Sequence, residues 1–365
     1  MADPIWIDRA EELAPLARTL EVQTTIGLDT EFLRERTFFP KLCLVQLAAA
    51  GEVWCVDTLR VGALEPLVKA LTAASSRKVI HAARQDLEAF YLGAKRVISP
   101  VFDTQIAAAC IGLKPQIGYA DLVKTLLDVT LAKGQTRTDW SKRPLTSAQL
   151  EYAADDVKYL NEVAAVLSDR LRTLGREHWV IEDSLALEEP RLYELDPAQA
   201  WKRLRNLHLL PAAARARGRA LAIWREMAAR ARDLPRGWIL SDAAIFSVAE
   251  ANPSNRAALD MALGLPKPMK ESLSESLLEA LREGPAAVGD GGEHGRDARP
   301  TPEQKAAIDR LARVVDARAQ ELAVSAEILA PRGELKALAM GARDTQALTG
   351  WRRAEIGDRL LAALD

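Results

Sequence analysis

The chain changes texture near residue 196, and that change constrains its fold more than any other feature. Before it, apolar runs of strand length alternate with helix-like segments. After it, strand-like runs nearly vanish and Ala, Arg and Leu dominate. Residues 24–32 (TTIGLDTEF), 42–48 (LCLVQLA) and 52–57 (EVWCVD) read as strands. Residues 12–20 read as a helix, as do 62–73, where Leu64, Leu67, Val68 and Leu71 keep helical spacing. A short strand at 78–81 feeds a helix whose apolar face is Leu87, Phe90 and Tyr91. Pro144 and Thr146 open one long helix over about 147–174. Strands followed by helices in this order imply an α/β layer fold. Three or four helices then fit in 198–263, with breaks at Pro211, at 234–237, at Asn252-Pro253 and at 264–266. Residues 283–301, rich in Gly, Pro and charge, read as a flexible linker ahead of a second helical unit at 302–365.

A length of 365 residues suits two or three domains rather than one core. The net charge of -2 gives the whole chain no pull on a polyanion, although a basic domain can hide beside an acidic one. Cys43, Cys55 and Cys110 are scattered, without CxxC or zinc spacing, which favours reduced thiols and a cytoplasmic location. The first residues carry acids and no apolar core, unlike a signal peptide. No apolar run approaches the roughly 20 residues that a membrane span requires. No coiled coil or broad apolar helix face stands out, so the expected state is a monomer.

Chemistry concentrates in a few acids. In a strand, residues i and i+2 share a face, so Asp29 and Glu31 are neighbours at the end of an apolar run. Two carboxylates so close repel unless a cation lies between them, and hard oxygen ligands suit Mg2+ or Mn2+. A strand end with solvated acids would read the same way. Tyr152 and Asp156 are i and i+4 and stack on one helix face. Glu151, Asp155, Lys158 and Glu162 trace a solvent face, whereas Asp156 lies beside the apolar stripe of Ala153, Val157, Leu160, Ala164 and Leu167. Asp156 is therefore the expected ligand and Asp155 a surface residue. Asp86 starts the helix after strand 78–81, where a capping acid is ordinary. His81 can meet a phosphate or be satisfied in the core. Gln85, beside Asp86, is a further candidate nucleic-acid contact. Asp103 reads as the N-cap of the next helix.

Together and in this order, these segments resemble the DEDD exonuclease superfamily, in the branch with a tyrosine in its third motif, and within it the ribonuclease D family. LDTEFLRERTFFPKLCLVQLA resembles the first motif region, HAARQDLEAFY the second and FDTQIAA the segment after it. TDWSKRPLTSAQLEYAADDVKYL resembles the third, with Tyr152 and Asp156 at its YxxxD spacing. The likeness spans nearly all of 1–175. AWKRLRNLHLLP and ALAIWREMAARARDLPRGWILSDAAIFSVA resemble the family's first HRDC domain, a helical module shared with RecQ-type helicases. LAPRGELKALAMG and LTGWRRAEIGDRLLAALD resemble a second, weaker copy, and the Gly-rich linker between the copies departs from the pattern in detail.

The resemblance implies an RNase H-like α/β exonuclease domain, a mixed sheet flanked by helices, over 1–175. A connector at 176–195, one all-α HRDC bundle at 196–282, the linker and a second bundle at 302–365 complete the expected order. It also implies a 3'→5' exoribonuclease that releases nucleoside 5'-monophosphates from RNA 3' ends, in maturation of tRNA precursors and other stable RNAs. Two divalent ions, Mg2+ or Mn2+, about 3.5–4 Å apart would serve the hydrolysis. Asp29 would bridge them, Glu31 and Asp156 would complete the water-activating site, and Asp86 would reach the second ion. Tyr152 would orient the attacking water, because a phenol with pKa near 10 is a poor base at neutral pH. A DNA exonuclease for repair and a non-catalytic binding scaffold are the competing readings.

Residues 196–240 hold ten basic side chains against three acidic ones, a local positive excess that attracts phosphates. Lys202, Arg203, Arg205 and Arg232 are the candidate RNA contacts there. Trp201 and Trp224 can stack on bases or fill a small bundle's core, and helical spacing favours the core. Trp351, flanked by Arg352 and Arg353, reads the same way.

Overall fold

The computed structural model describes residues 4–132, 138–194, 196–264, 269–287 and 300–364. Two compact units form: residues 1–33, 40–193 and 299–365 make the first, and residues 34–39 and 194–298 the second.

The first unit is built on six strands: β1 (Ile5–Ile7), β2 (Thr25–Leu33), β3 (Lys41–Ala49), β4 (Glu52–Val56), β5 (Arg77–Ile80) and β6 (Val101–Asp103). Their order is β1-β4-β3-β2-β5-β6. β4, β3 and β2 run antiparallel to their neighbours within that trio, while β1, β5 and β6 join in parallel, so the sheet is mixed. β3 is buried everywhere past Lys41, which explains its near-continuous apolar run. Ala50 (φ 52°) and Gly51 (φ 81°) make the tight turn into β4, the two left-handed residues that match strand twist in a two-residue hairpin.

Eight helices accompany the strands: α1 (Ala10–Glu21), α2 (Glu65–Leu71), α3 (Arg84–Ala94), α4 (Thr104–Cys110), α5 (Tyr119–Leu127), α6 (Ser147–Lys158), α7 (Leu160–Leu174) and α8 (Glu177–Leu187). The single helix expected over 147–174 is thus two. Tyr159 (φ -105°, ψ 1°) leaves the helical path, and its N–H meets the Tyr119 hydroxyl at 3.2 Å. α6 begins on a capping box in which Thr146 and Gln149 satisfy each other's backbone N–H.

The expected second bundle is not a separate body. The helices within residues 302–362 lie in the first unit and share one apolar core with the sheet's helices. Before them in the chain, the second unit contributes α9 (Ala212–Arg232), α10 (Arg236–Ile239), α11 (Asp242–Ala251), α12 (Arg256–Leu263) and α13 (Glu271–Ala287). The C-terminal elements are α14 (Pro302–Leu322), α15 (Ala326–Leu329), α16 (Arg332–Ala339), α17 (Gly350–Arg352) and α18 (Asp358–Ala362). Leu311, Val315, Trp351 and Leu360 join Leu167, Leu171, Trp179 and Val180 in that core. Trp351 stacks on Trp179 at 4.1 Å between ring centroids, and Arg352 grips Asp183 at 2.6 and 2.9 Å. Arg176 bridges the Cys110 and Leu322 carbonyls at 2.9 and 2.6 Å. Residues 176–195, expected as a connector, include α8 and supply part of this core. α13 reaches past residue 282, and residues 288–299, most of the expected linker, lie outside the described residues.

Among its described residues the second unit forms helices and no strand, around Leu221, Trp224, Ile245, Val248, Leu259 and Leu277. Phe38 joins this core, and the N–H groups of Phe38 and Phe39 donate to Asp233 at 3.0 and 3.1 Å.

Candidate active site

The sheet and α6 bring the predicted acids together. Carboxylate oxygens of Asp29, Glu31 and Asp156 lie within 4.8 Å of one another. Asp29 and Glu31 share a face of β2, as their spacing requires. Gly27 lies on the same face, and a Cβ there would sit 3.2 Å from both the Val157 carbonyl and Leu160 Cβ. The missing side chain lets α6 and α7 approach β2 closely and carries Asp156 to the β2 pair.

Asp86 is buried at the start of α3. Its Oδ1 accepts from the Thr30 hydroxyl at 2.6 Å, which ties α3 to β2 between the two β2 acids in sequence. It stands within electrostatic reach of Asp29, Glu31 and Asp156. Asp103 caps α4 through the N–H groups of Gln105 and Ile106, as expected. It also accepts from Ala82 N and Ala83 N at 3.2 and 2.8 Å, and so fixes the turn that launches α3.

These carboxylates resist ionisation. Burial, then the charges of Asp86, Asp156 and Glu31, holds Asp29 well above the usual carboxylate range. Burial with the charges of Asp156 and Asp86 pushes Glu31 up to about 9. Burial raises Asp86 to about 7 against the opposing Thr30 hydrogen bond. It raises Asp156 to about 7 against the hydrogen bond from Tyr152. Burial and the nearby acids also raise the Tyr152 phenol, so it stays protonated and donates to Asp156. Trp140, 6.1 Å away between ring centroids, flanks the Tyr152 ring. A half-buried acidic set of this kind is relieved by a divalent cation and offers it hard oxygen ligands. Asp155 points elsewhere, to Lys158 at 3.8 Å.

The remaining candidates divide. Both His81 ring nitrogens are engaged, Nδ1 with Thr104 Oγ1 at 2.9 Å and Nε2 with the Ile117 carbonyl at 3.0 Å. Burial lowers its pKa, so the neutral ring serves as a strut and has no nitrogen left for a phosphate. Gln85 is exposed on the first turn of α3, next to Asp86. In the second unit, Arg203 and Arg236 converge on the buried Glu226, and Arg225 pairs with Asp242 at 2.6 Å. Arg219 lies over the Trp201 ring at 4.3 Å, and Trp224 Nε1 donates to Ser276 at 3.0 Å. Three of the ten counted cations are therefore paired with acids, and Trp224 belongs to the bundle's core. Lys202, Arg205 and Arg232 are exposed.

A clamp beside the site escaped sequence reasoning. Asp57, fully buried, receives Arg143 Nε and Nη2 at 2.6 and 2.8 Å. Arg143 also donates to the Cys43 and Trp140 carbonyls at 2.9 and 2.7 Å, and so fastens the segment leading into α6 to β3 and β4. The two residues are 86 apart in sequence, and no local pattern announces the pair.

A mixed sheet that aims a DxE pair at a helix-borne YxxxD pair, with a fourth acid at the next helix start, defines the 3'→5' exonucleases with a carboxylate metal site. The family model described as 3'-5' exonuclease matches residues 4–172, and that of the HRDC domain matches 214–281. The chain belongs to the ribonuclease D family. Ribonuclease D of Granulibacter bethesdensis is 37% identical over 98% of this chain and 92% of its own length. That of Xanthomonas oryzae pv. oryzae is 36% identical over 99% of both. The crystal structure of Escherichia coli RNase D, described as an exoribonuclease involved in structured RNA processing, matches with a TM-score of 0.89 at 28% identity. It covers 100% of this chain and 99% of that one.

Proposed function

We propose that this chain is a 3'→5' exoribonuclease that releases nucleoside 5'-monophosphates from RNA ends at the Asp29, Glu31, Asp86 and Asp156 site. The observation that carries this is the convergence of three carboxylates within 4.8 Å, with a fourth in electrostatic reach. Two divalent ions, Mg2+ or Mn2+, bound there would neutralise the phosphodiester, activate water and stabilise the departing 3'-oxygen. Asp29, which feels the charges of Asp86, Asp156 and Glu31, suits the shared ligand. Glu31 and Asp156 serve one side and Asp86 the other. Tyr152 keeps its proton, and its hydroxyl orients the nucleophile from beside Asp156 rather than acting as a base. Trp140 limits where that ring can turn.

The substrates proposed are tRNA precursors and other structured RNAs with short 3' tails, acted on by a monomer in the cytoplasm. No helix among the described residues is long and apolar enough to cross a membrane. Lys202, Arg205 and Arg232 offer phosphate contacts in the second unit, and Trp238, 64% exposed, offers a face for base stacking.

The test is a pair of matched RNA and DNA oligomers labelled at the 5' end, incubated with and without Mg2+. Metal-dependent, one-nucleotide shortening of RNA that Asp29→Asn abolishes is the expected result. Cleavage by Asp29→Asn at the wild-type rate refutes the site, and equal or better cleavage of DNA refutes the substrate assignment.

A further inference from the structure

One polar side chain beside the carboxylates has no task in the foregoing scheme. Gln46 lies in the middle of β3 and is completely buried. The strand register sets it directly opposite Asp29 on β2 and opposite Cys55 on β4. Directly opposed residues share a face, with Cβ atoms about 4.5–5.5 Å apart. That face is the one on which α6 packs, because Gly27, two residues before Asp29, lies against Val157 and Leu160. The Gln46 side chain thus rises from the sheet beside Asp29 and beneath α6.

Its amide is unsatisfied. Neither Oε1 nor Nε2 has a hydrogen-bond partner among the described residues. A buried amide without partners is costly, so an apolar side chain of the same size would suit a purely structural position better. The neighbouring acids show what is missing. Asp86 is held by the Thr30 hydroxyl and Asp156 by the Tyr152 hydroxyl. Asp29 is held by the Thr30 backbone and by no side-chain donor among the described residues. Ligating carboxylates are normally oriented by such outer hydrogen bonds.

We propose that Gln46 is the positioning residue of Asp29, its Nε2–H donating to one carboxylate oxygen when Asp29 binds a divalent cation. This rests on the reading of Asp29 as a metal ligand. The donated hydrogen bond favours the charged carboxylate and fixes its plane, so that its other lone pairs point toward the cluster shared with Glu31 and Asp156. Gln46 touches neither substrate nor cation in this scheme. Its effect passes through Asp29.

The experiment measures Mn2+ binding to the full chain without RNA, by the electron paramagnetic resonance signal of free Mn2+, for wild type, Gln46→Met and Asp29→Asn. Thermal unfolding is followed with and without Mn2+. Gln46→Met is expected to melt at or above wild type in the absence of metal, because it removes a stranded amide. Its Mn2+ affinity should be weaker by about 10–100-fold, and its Mn2+-induced rise in melting temperature smaller. The rate constant at saturating RNA should fall while KM stays near wild type. Gln46→Leu provides the same readouts should the methionine pack poorly. Equal Mn2+ affinity in wild type and Gln46→Met overturns the role of Gln46 and leaves the metal site standing. Absence of Asp29-dependent Mn2+ binding in wild type overturns both.

Discussion

Replacing Arg143 with Met removes one half of an ion pair whose other half cannot reach water. Asp57 is fully buried, and the Arg143 side chain is 17% exposed. After the substitution, Asp57 keeps one hydrogen bond to its Oδ1, from Leu59 N at 3.1 Å, and loses both guanidinium contacts. At an effective dielectric near 20, two unit charges about 4 Å apart attract by about 4 kcal/mol. Measured losses on breaking one side of a buried pair are about 3–5 kcal/mol, because the survivor is an uncompensated charge. The Cys43 and Trp140 carbonyls lose donors as well. Arg143→Met should therefore destabilise the first unit by about 3–5 kcal/mol. Asp57→Asn, which leaves the Arg143 charge with some exposure and its Cys43 and Trp140 carbonyl partners, should cost less, and the double variant Asp57→Asn/Arg143→Met should cost less than the sum. A urea-unfolding cycle on the four proteins, followed by far-UV circular dichroism, measures this. A coupling of at least about 2 kcal/mol is expected; additivity within about 0.5 kcal/mol refutes the clamp. Where Arg143→Met is still folded, RNA hydrolysis should be slower, because the segment entering α6 is no longer pinned.

Other outcomes follow from the same geometry. Gly27→Val places a branched side chain where Cβ alone already lies 3.2 Å from α6 and α7, so hydrolysis should drop by about 100-fold for a shift approaching 1 Å, while circular dichroism stays native-like. Asp156→Ala should abolish hydrolysis and Asp155→Ala should leave it within a few-fold of wild type; equal losses in a single-turnover assay contradict the facing of α6. In the metal-free protein the raised carboxylates hold protons that the unfolded chain has released, so stability should fall as pH rises from about 4.5 through 7 and on toward 9. Melting curves with saturating Mg2+ should lose that slope, and Mg2+ affinity should rise with pH, because binding expels the same protons.

The site was readable because its spacings are local. Asp29 and Glu31 need only strand periodicity, Tyr152 and Asp156 only helical periodicity, and the apolar stripe beside Asp156 separates it from Asp155. What escaped depends on partners distant in the chain. Tyr159 interrupts the helix beside Tyr119, 40 residues earlier, and nothing in the run LEYAADDVKYLNEV marks a break. Arg203 reads as an RNA contact until Glu226, which it shares with Arg236, is seen beside it. His81 was open to two readings, and Thr104 and the Ile117 carbonyl decide for the structural one. Nothing in the helical run of 302–364 says that Trp179 is the surface it covers.

That last packing has a consequence for timing. A ribosome that has finished residue 193 has made the sheet, all four acids and Tyr152, and has not yet made Trp351 or Leu311, which cover Trp179 and Leu171. Residues 194–298 of the second unit must be synthesised in between. Residues 1–193 therefore leave the ribosome with Trp179 and the apolar surface around it still uncovered.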